Sequence, residues 1–121
     1  MTTTPPKPVC KRSDVILVLF PHSGLRSAKL RPALVVQADN LQTGLPQTIV
    51  AMITSRLFRA NHPSRVTVLR SSPEGQLSGL LTDSVVMTDN LATIAETEID
   101  RVIGTLPMAD VDRALRHTLG L

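Results

Sequence analysis

The chain has 121 residues, a length that typically holds one core, and its 42% hydrophobic and 19% charged residues are typical of a folded domain rather than a disordered segment. It contains two phenylalanines and no tyrosine or tryptophan, which argues against RNA-binding domains that stack bases on rows of aromatic side chains. The net charge of +3 is uneven, because residues 1–70 hold ten basic and two acidic side chains while residues 71–121 hold three basic and eight acidic ones. This asymmetry indicates a surface for a polyanion in the first half, although clustering of solvated charges is the simpler alternative.

The N-terminal region predicts a flexible tail over residues 1–12, followed by one folded domain over residues 13–121. The tail holds three of the nine prolines and the only cysteine, Cys10, so an internal disulfide is excluded and a reducing, cytoplasmic location is expected. Residues 15–20 form a continuous apolar run rich in β-branched side chains, which predicts a strand buried on both faces. This run is far shorter than the roughly 20 residues that span a bilayer, so no membrane association is expected.

Further strands are predicted between segments rich in glycine, proline and asparagine. They lie at residues 32–37, 48–54, 65–70, 79–88, 92–95 and 101–106, with turns at residues 73–75 and 78–79. From Met108 the apolar residues recur at helical spacing up to a stop at Gly120, which predicts a C-terminal helix. The pattern therefore predicts a mostly β fold, a small barrel or curled sheet of six or seven strands followed by one α-helix.

Three segments, in this order, resemble the MazF/PemK toxins of bacterial toxin–antitoxin systems. They are residues 14–21 (DVILVLFP), 30–36 (LRPALVV) and 49–55 (IVAMITS), and the similarity continues through residues 79–86 and 103–106 to the C-terminal helix. The resemblance implies an SH3-like small β-barrel, as also found in the CcdB toxins, that forms a two-fold symmetric homodimer. It further implies sequence-selective cleavage of single-stranded RNA, neutralisation by a cognate MazE-like antitoxin, and contact with operator DNA only together with that antitoxin.

The resemblance also implies metal-independent chemistry, in which the 2′-hydroxyl attacks the neighbouring phosphorus and leaves a 2′,3′-cyclic phosphate and a 5′-hydroxyl. No cofactor is expected, because three scattered histidines and one cysteine lack the spacing of a metal site. Such a reaction needs a proton acceptor, a proton donor and positive charge on the developing phosphorane.

Three residues are candidates for catalysis. Arg31 matches the catalytic arginine of the family, and its planar guanidinium can hold two phosphate oxygens. Thr54 matches the threonine that hydrogen-bonds the scissile phosphate. Relatives often place a glutamate or histidine five or six residues before the arginine, but Leu25 and Arg26 stand there in this chain. His22, nine residues before Arg31, is the replacement candidate for the proton acceptor, with an ordinary pKa of about 6.5 that suits the role.

Five more residues are candidates for substrate binding. They are Ser55, Asp89, Asn90, Lys29 and Arg56, with Arg59 and Arg65 as further candidates for phosphate contacts. Asp89 matches the acidic residue of the family's D-Q box, although Asp89-Asn90 alone also reads as a turn. Met87 and Ala92 stand where some relatives have arginine.

Two other function classes remain open at this point. A CcdB-like protein would use the same barrel to bind DNA gyrase without cleaving RNA. A catalytically inactive relative would bind only antitoxin or operator DNA, and the altered residues Met87 and Ala92 leave room for it.

Overall fold

The computed structural model describes residues 10–21 and 28–121. Six strands of this part form one antiparallel sheet with the order β4-β5-β3-β2-β1-β6. The strands are β1 (Asp14–Pro21), β2 (Ala28–Val35), β3 (Gln47–Thr54), β4 (Arg65–Val68), β5 (Ser84–Ala95) and β6 (Ile99–Thr105). The helices are α1 (Pro73–Ser78) and α2 (Ala109–Leu119), and short 3-10 turns span Leu57–Arg59 and Glu96–Glu98. None of the helices in the described ranges is long and apolar enough to cross a membrane.

The strands bury apolar side chains on both faces of the sheet, which explains why their sequences are continuous apolar runs. Val15 and Ile16, adjacent in β1, are both fully buried but belong to different clusters. The first cluster, against the helices, contains Val15, Leu34, Ala51, Ile53, Val68, Leu80, Val86, Leu106 and Val111. The second contains Ile16, Val18, Ala33, Val35, Val50, Ile94 and Ile99. The strand predicted at residues 15–20 is therefore confirmed, and it is buried on both faces at Val15 and Ile16, whereas Leu19 is 44% exposed.

The C-terminal helix is confirmed and buries Val111 and Ala114 against the sheet. Its first turn carries two aspartates and its last turn Arg116 and His117, charges that complement the helix dipole. Arg12, at the end of the predicted tail, forms an ion pair with Asp112 of this helix.

The segment predicted as two turns, residues 73–75 and 78–79, is instead the short helix α1. The Ser72 hydroxyl accepts the N–H of Gly75 at 3.0 Å and Pro73 occupies the first turn, so both helix-start signals are present. The helix ends at Gly79, and its last residues lie directly on β6. A Cβ on Gly104 would lie 2.3 Å from the carbonyl oxygen of Leu77. The mostly β fold is confirmed, but β4 and β6 are the two edges of the sheet and do not pair, and α1, which follows β4 in the chain, packs on β6.

The strands predicted separately at residues 79–88 and 92–95 form one strand, β5. Its pairing with β3 passes from Met87↔Met52 to Leu91↔Ala51, so Thr88, Asp89 and Asn90 are unopposed and form a bulge. The strand continues past this bulge instead of reversing in a turn. Thr88 is held by two hydrogen bonds there, since its N–H and its hydroxyl both donate to the Ser64 carbonyl, at 3.0 and 2.6 Å. The number of strands is therefore six, and the turn expected at residues 89–90 is a bulge.

Candidate functional site

An open cavity of about 1020 Å³ lies where β2 and β3 separate. These two strands pair only at Val35↔Val50, Leu34↔Ala51 and Ala33↔Met52. The next residue of β2 is Pro32, which has no N–H to donate to a neighbouring strand. Beyond this point the strands diverge, and the side chains on their free ends line the cavity.

Arg31 lies in this divergent part of β2, opposite Val18 of β1. Strand β2 starts at Ala28, earlier than predicted, so Arg31 lies inside the strand rather than at its head. Its side chain is exposed and lines the cavity. Within the described ranges the Arg31 guanidinium has no hydrogen-bond or ion-pair partner, so its N–H groups are free for a ligand.

Thr54 ends β3 on the opposite side of the cavity, and Ser55 follows it. The Thr54 Oγ1 accepts the N–H of Arg56 at 3.1 Å, the local turn that threonine favours at a strand end. Its hydroxyl hydrogen can still be donated to a ligand oxygen. The capping turn and a ligand contact are therefore compatible at Thr54.

The cavity is cationic. Its basic lining residues are Lys29, Arg31, Arg56, Arg59 and Arg101, and no acidic side chain of the described residues lines it. Asn90, from the β5 bulge, adds an amide. A site with this charge selects anionic ligands, and arginine forks suit phosphate oxygens.

Six of the eight predicted site residues thus line one cavity: Arg31, Thr54, Ser55, Asn90, Lys29 and Arg56. His22 lies outside the described residues. Arg101 was not among the candidates, because it lies in the acidic half of the sequence. It reaches the cavity because β6 pairs with β1, where Arg101 lies opposite Leu17.

Met87 and Ala92 also line the cavity. Arg59 reaches the first of these positions from the segment between β3 and β4, where its Nη1 lies 3.7 Å from the Met87 Sδ. A guanidinium therefore lies beside residue 87 although that residue is not itself an arginine.

Asp89 is not among the residues that line the cavity, and its carboxylate binds Arg65. Two Arg65 nitrogens donate to its carboxylate at 2.7 and 3.3 Å, and the Arg65 Nη1 donates to the Arg59 carbonyl at 2.9 Å. The hydrogen bond from Arg65 lowers the pKa of Asp89 below its ordinary value. Arg65 therefore ties the β5 bulge, which carries Asn90, to the segment that carries Arg59.

We expect the coupling between Asp89 and Arg65 to be lost in acid. Because the pKa of Asp89 is lowered in the folded state, the pair stabilises the fold above the ordinary aspartate pKa of about 4 and loses this contribution as the pH falls through the lowered value. A double-mutant cycle of Asp89→Asn and Arg65→Gln, followed by urea unfolding, should give favourable coupling at pH 6 and less near pH 3. Coupling that is equal at both pH values would contradict an ionic clamp.

Comparisons of the sequence and of the fold with known proteins point to the same family. The model of the family described as PemK-like, MazF-like toxin of type II toxin-antitoxin system matches residues 11–119. Endoribonuclease MazF2 of Mycobacterium bovis is 36% identical over 107 residues, which span 85% of this chain and 90% of that protein.

Solved structures share the fold. An endoribonuclease in complex with its cognate antitoxin from Mycobacterial species has a TM-score of 0.69 at 22% identity, over 93% of this chain and 97% of that one. The MazE-MazF (Form-II) structure from Deinococcus radiodurans has a TM-score of 0.70 at 20% identity, over 94% and 98% of the two chains.

Proposed function

The chain belongs to the family of PemK-like, MazF-like toxins of type II toxin–antitoxin systems, and we propose on this basis that it is an endoribonuclease that cleaves single-stranded RNA in the cavity between β2 and β3. The observation that carries the proposal is the opposition of Arg31 and Thr54 across a cavity lined by five cations and, among the described residues, by no acid. The relative from Mycobacterium bovis is named an endoribonuclease.

Each side chain has a defined task in the proposed reaction. The substrate 2′-oxygen attacks phosphorus, the bond from phosphorus to the 5′-oxygen breaks, and the products are a 2′,3′-cyclic phosphate and a 5′-hydroxyl. Arg31 donates two N–H groups to the non-bridging oxygens, whose negative charge grows in the phosphorane. Thr54 donates its hydroxyl to one of the same oxygens, and Ser55 can donate beside it.

Two protons move in this reaction, one from the 2′-hydroxyl and one to the departing 5′-oxygen. The described residues that line the cavity include no histidine, aspartate or glutamate. His22, which follows β1 directly in sequence, is therefore proposed as the acceptor of the first proton. Water supplies the second proton in this scheme.

The remaining basic and amide groups are proposed to bind the RNA on either side of the scissile bond. Lys29, Arg56 and Arg101 contact neighbouring phosphates, and Asn90 contacts the nucleotide that reaches the β5 bulge. Asp89 is engaged with Arg65, so its proposed share in RNA binding is to hold the bulge that presents Asn90.

We also propose that the protein acts as a homodimer in the cytoplasm and is neutralised by a MazE-like antitoxin. It contacts operator DNA only together with that antitoxin. Support comes from the similar endoribonuclease whose structure includes its cognate antitoxin. The cationic cavity favours the nuclease over a gyrase-binding toxin, because binding to gyrase needs no opposed arginine and threonine. An inactive relative is disfavoured for the same reason.

The deciding experiment is end-mapping of a long single-stranded RNA incubated with the protein in excess EDTA. We expect cleavage to continue in EDTA and to leave 2′,3′-cyclic phosphate and 5′-hydroxyl ends, because Arg31 supplies the positive charge that a metal would otherwise provide. A substrate with a 2′-deoxynucleotide at the scissile position is the matched control and should stay intact.

Cleavage that stops in EDTA and resumes with Mg²⁺ would contradict this mechanism. Intact RNA combined with retention of gyrase would favour the gyrase-binding alternative.

A further inference from the structure

Phe58, which is not among the cavity-lining residues, is unusually exposed for an aromatic side chain. It lies on the 3-10 turn Leu57–Arg59 and is 80% exposed. Phenylalanine is among the residues most often buried, since its ring gains most from leaving water. A chain with only two phenylalanines and no other aromatic residue has thus placed one ring almost fully in solvent.

The surroundings of this ring are cationic. Arg56 and Arg59, which both line the cavity, lie two residues before it and one residue after it in the sequence, and the Arg59 guanidinium carbon lies 5.8 Å from the ring centroid. This distance is within the range of a cation–π contact. The Phe58 ring therefore lies against Arg59, one of the cations that line the cavity.

The turn that carries the ring is held in place from several directions. The N–H of Arg59 donates to the Arg56 carbonyl at 3.1 Å and that of Ala60 to the Leu57 carbonyl at 3.0 Å. Arg65 donates to the Arg59 carbonyl, and Arg59 reaches the sulfur of Met87 on β5. The backbone that carries the ring is therefore fixed relative to the cavity, which reduces the ordering needed when a ligand binds.

We propose that Phe58 is a stacking platform for one unpaired base of the RNA, adjacent to the cavity that holds the scissile phosphate. This inference rests on the proposed function. A flat aromatic face beside a cavity-lining arginine matches a nucleotide, whose base stacks on the ring while its flanking phosphates meet guanidinium groups. Because every base has a π-face, the platform increases the affinity for RNA at one fixed distance from the cleavage site. It does not select which base binds there.

The charges around Phe58 also favour RNA, rather than a second copy of the chain, as the molecule that binds this surface. A two-fold contact centred on Phe58 would place the same surface of each copy opposite itself. Arg56 and Arg59 of one copy would then face the same arginines of the other, which is unfavourable. RNA brings the opposite charge to this surface.

Binding measurements on an uncleavable oligonucleotide, with a 2′-deoxynucleotide at the scissile position, test the platform. Phe58→Ala should weaken binding about tenfold to a hundredfold, the range measured for loss of one base–aromatic stack. Phe58→Trp should keep or improve the affinity. The matched control is Leu57→Ala, which removes the neighbouring side chain, 46% exposed, and should change binding less than twofold.

Cleavage kinetics and fluorescence supply independent readouts. Phe58→Ala should raise KM at nearly constant kcat, because the stack is equally present in the ground and transition states. Since the chain has no tryptophan, Phe58→Trp introduces a single fluorophore whose emission should be quenched when a base stacks on it. Abasic substitutions along the oligonucleotide should identify one position that weakens wild-type binding but leaves Phe58→Ala binding unchanged.

The outcomes separate this inference from the proposed function. If the wild-type protein neither binds nor cleaves RNA, both fail. If it cleaves RNA and Phe58→Ala binds and cleaves equally well, only the platform is overturned. The platform is also overturned if Phe58→Ala lowers the mass of the protein in sedimentation, which would make the ring a contact between copies, or if it weakens antitoxin binding alone.

Discussion

Replacing Arg31 with alanine is expected to lower kcat/KM for RNA cleavage about 10²- to 10³-fold while leaving the fold intact. The reason is that Arg31 supplies the charge-assisted hydrogen bonds that strengthen as the phosphorane forms, and loss of one such donor typically removes about 3–4 kcal/mol of transition-state stabilisation. Its side chain is exposed and, among the described residues, has no partner, so the free energy of unfolding should change by less than about 0.5 kcal/mol.

Three variants, Arg31→Ala, Arg31→Lys and Arg113→Ala, test whether the loss of activity is specific to the Arg31 guanidinium. Arg31→Lys keeps the charge but not the planar fork, so its activity should fall between that of the wild type and that of Arg31→Ala. Arg113→Ala is the matched control and should cleave as the wild type does, since Arg113 is an exposed arginine of α2 whose only ion-pair partner among the described residues is Asp110. Single-turnover cleavage and thermal unfolding of all three variants provide the measurements. An Arg31→Ala variant with full activity would remove Arg31 from the mechanism.

Gly104→Ala is expected to destabilise the fold by about 3 kcal/mol and to lower Tm by roughly 10 °C. The added Cβ would lie 2.3 Å from the Leu77 carbonyl oxygen and 2.3 Å from the Ser78 carbonyl carbon, so α1 must move away from β6. These contacts are backbone atoms, and no change of rotamer can relieve them. The variant therefore tests whether α1 packs on β6.

Gly120→Ala serves as the comparison for this prediction. Gly120 has a φ of 71° but no atom within 4 Å of an added Cβ, so its substitution costs only the left-handed conformation, about 1 kcal/mol. Calorimetry should give a clearly larger loss for Gly104→Ala. Equal melting temperatures for Gly104→Ala and the wild type would mean that α1 is not packed on β6 in solution.

The strands could be predicted from the sequence because each is a short apolar run between turn residues. The number of strands could not, because the bend at residues 88–90 is held by a distant partner, the Ser64 carbonyl. The helix α1 was missed because Pro73 and Gly75 also occur in turns. The cap at Ser72 was the signal that distinguishes the two.

Residues of the candidate site could be predicted where a family motif marks them. They could not be predicted where only the pairing of strands brings a residue to the cavity. Arg31 and Thr54 were found by their motifs, but their separation by a cavity follows from the pairing that begins after Pro32. Arg101 became part of the site only through its register with Leu17. No local pattern reveals that Asp89 binds Arg65, which is 24 residues away.

Pro32 has a consequence for how the protein is controlled. Pro32 has no N–H to donate across to β3, and the pairing between β2 and β3 stops there, which leaves the gap beside Arg31. The described part of the protein therefore presents this gap already open, and RNA need not separate the two strands in order to reach Arg31. A gap that is open from the start fits control by a second protein, such as the antitoxin of the systems to which this family belongs.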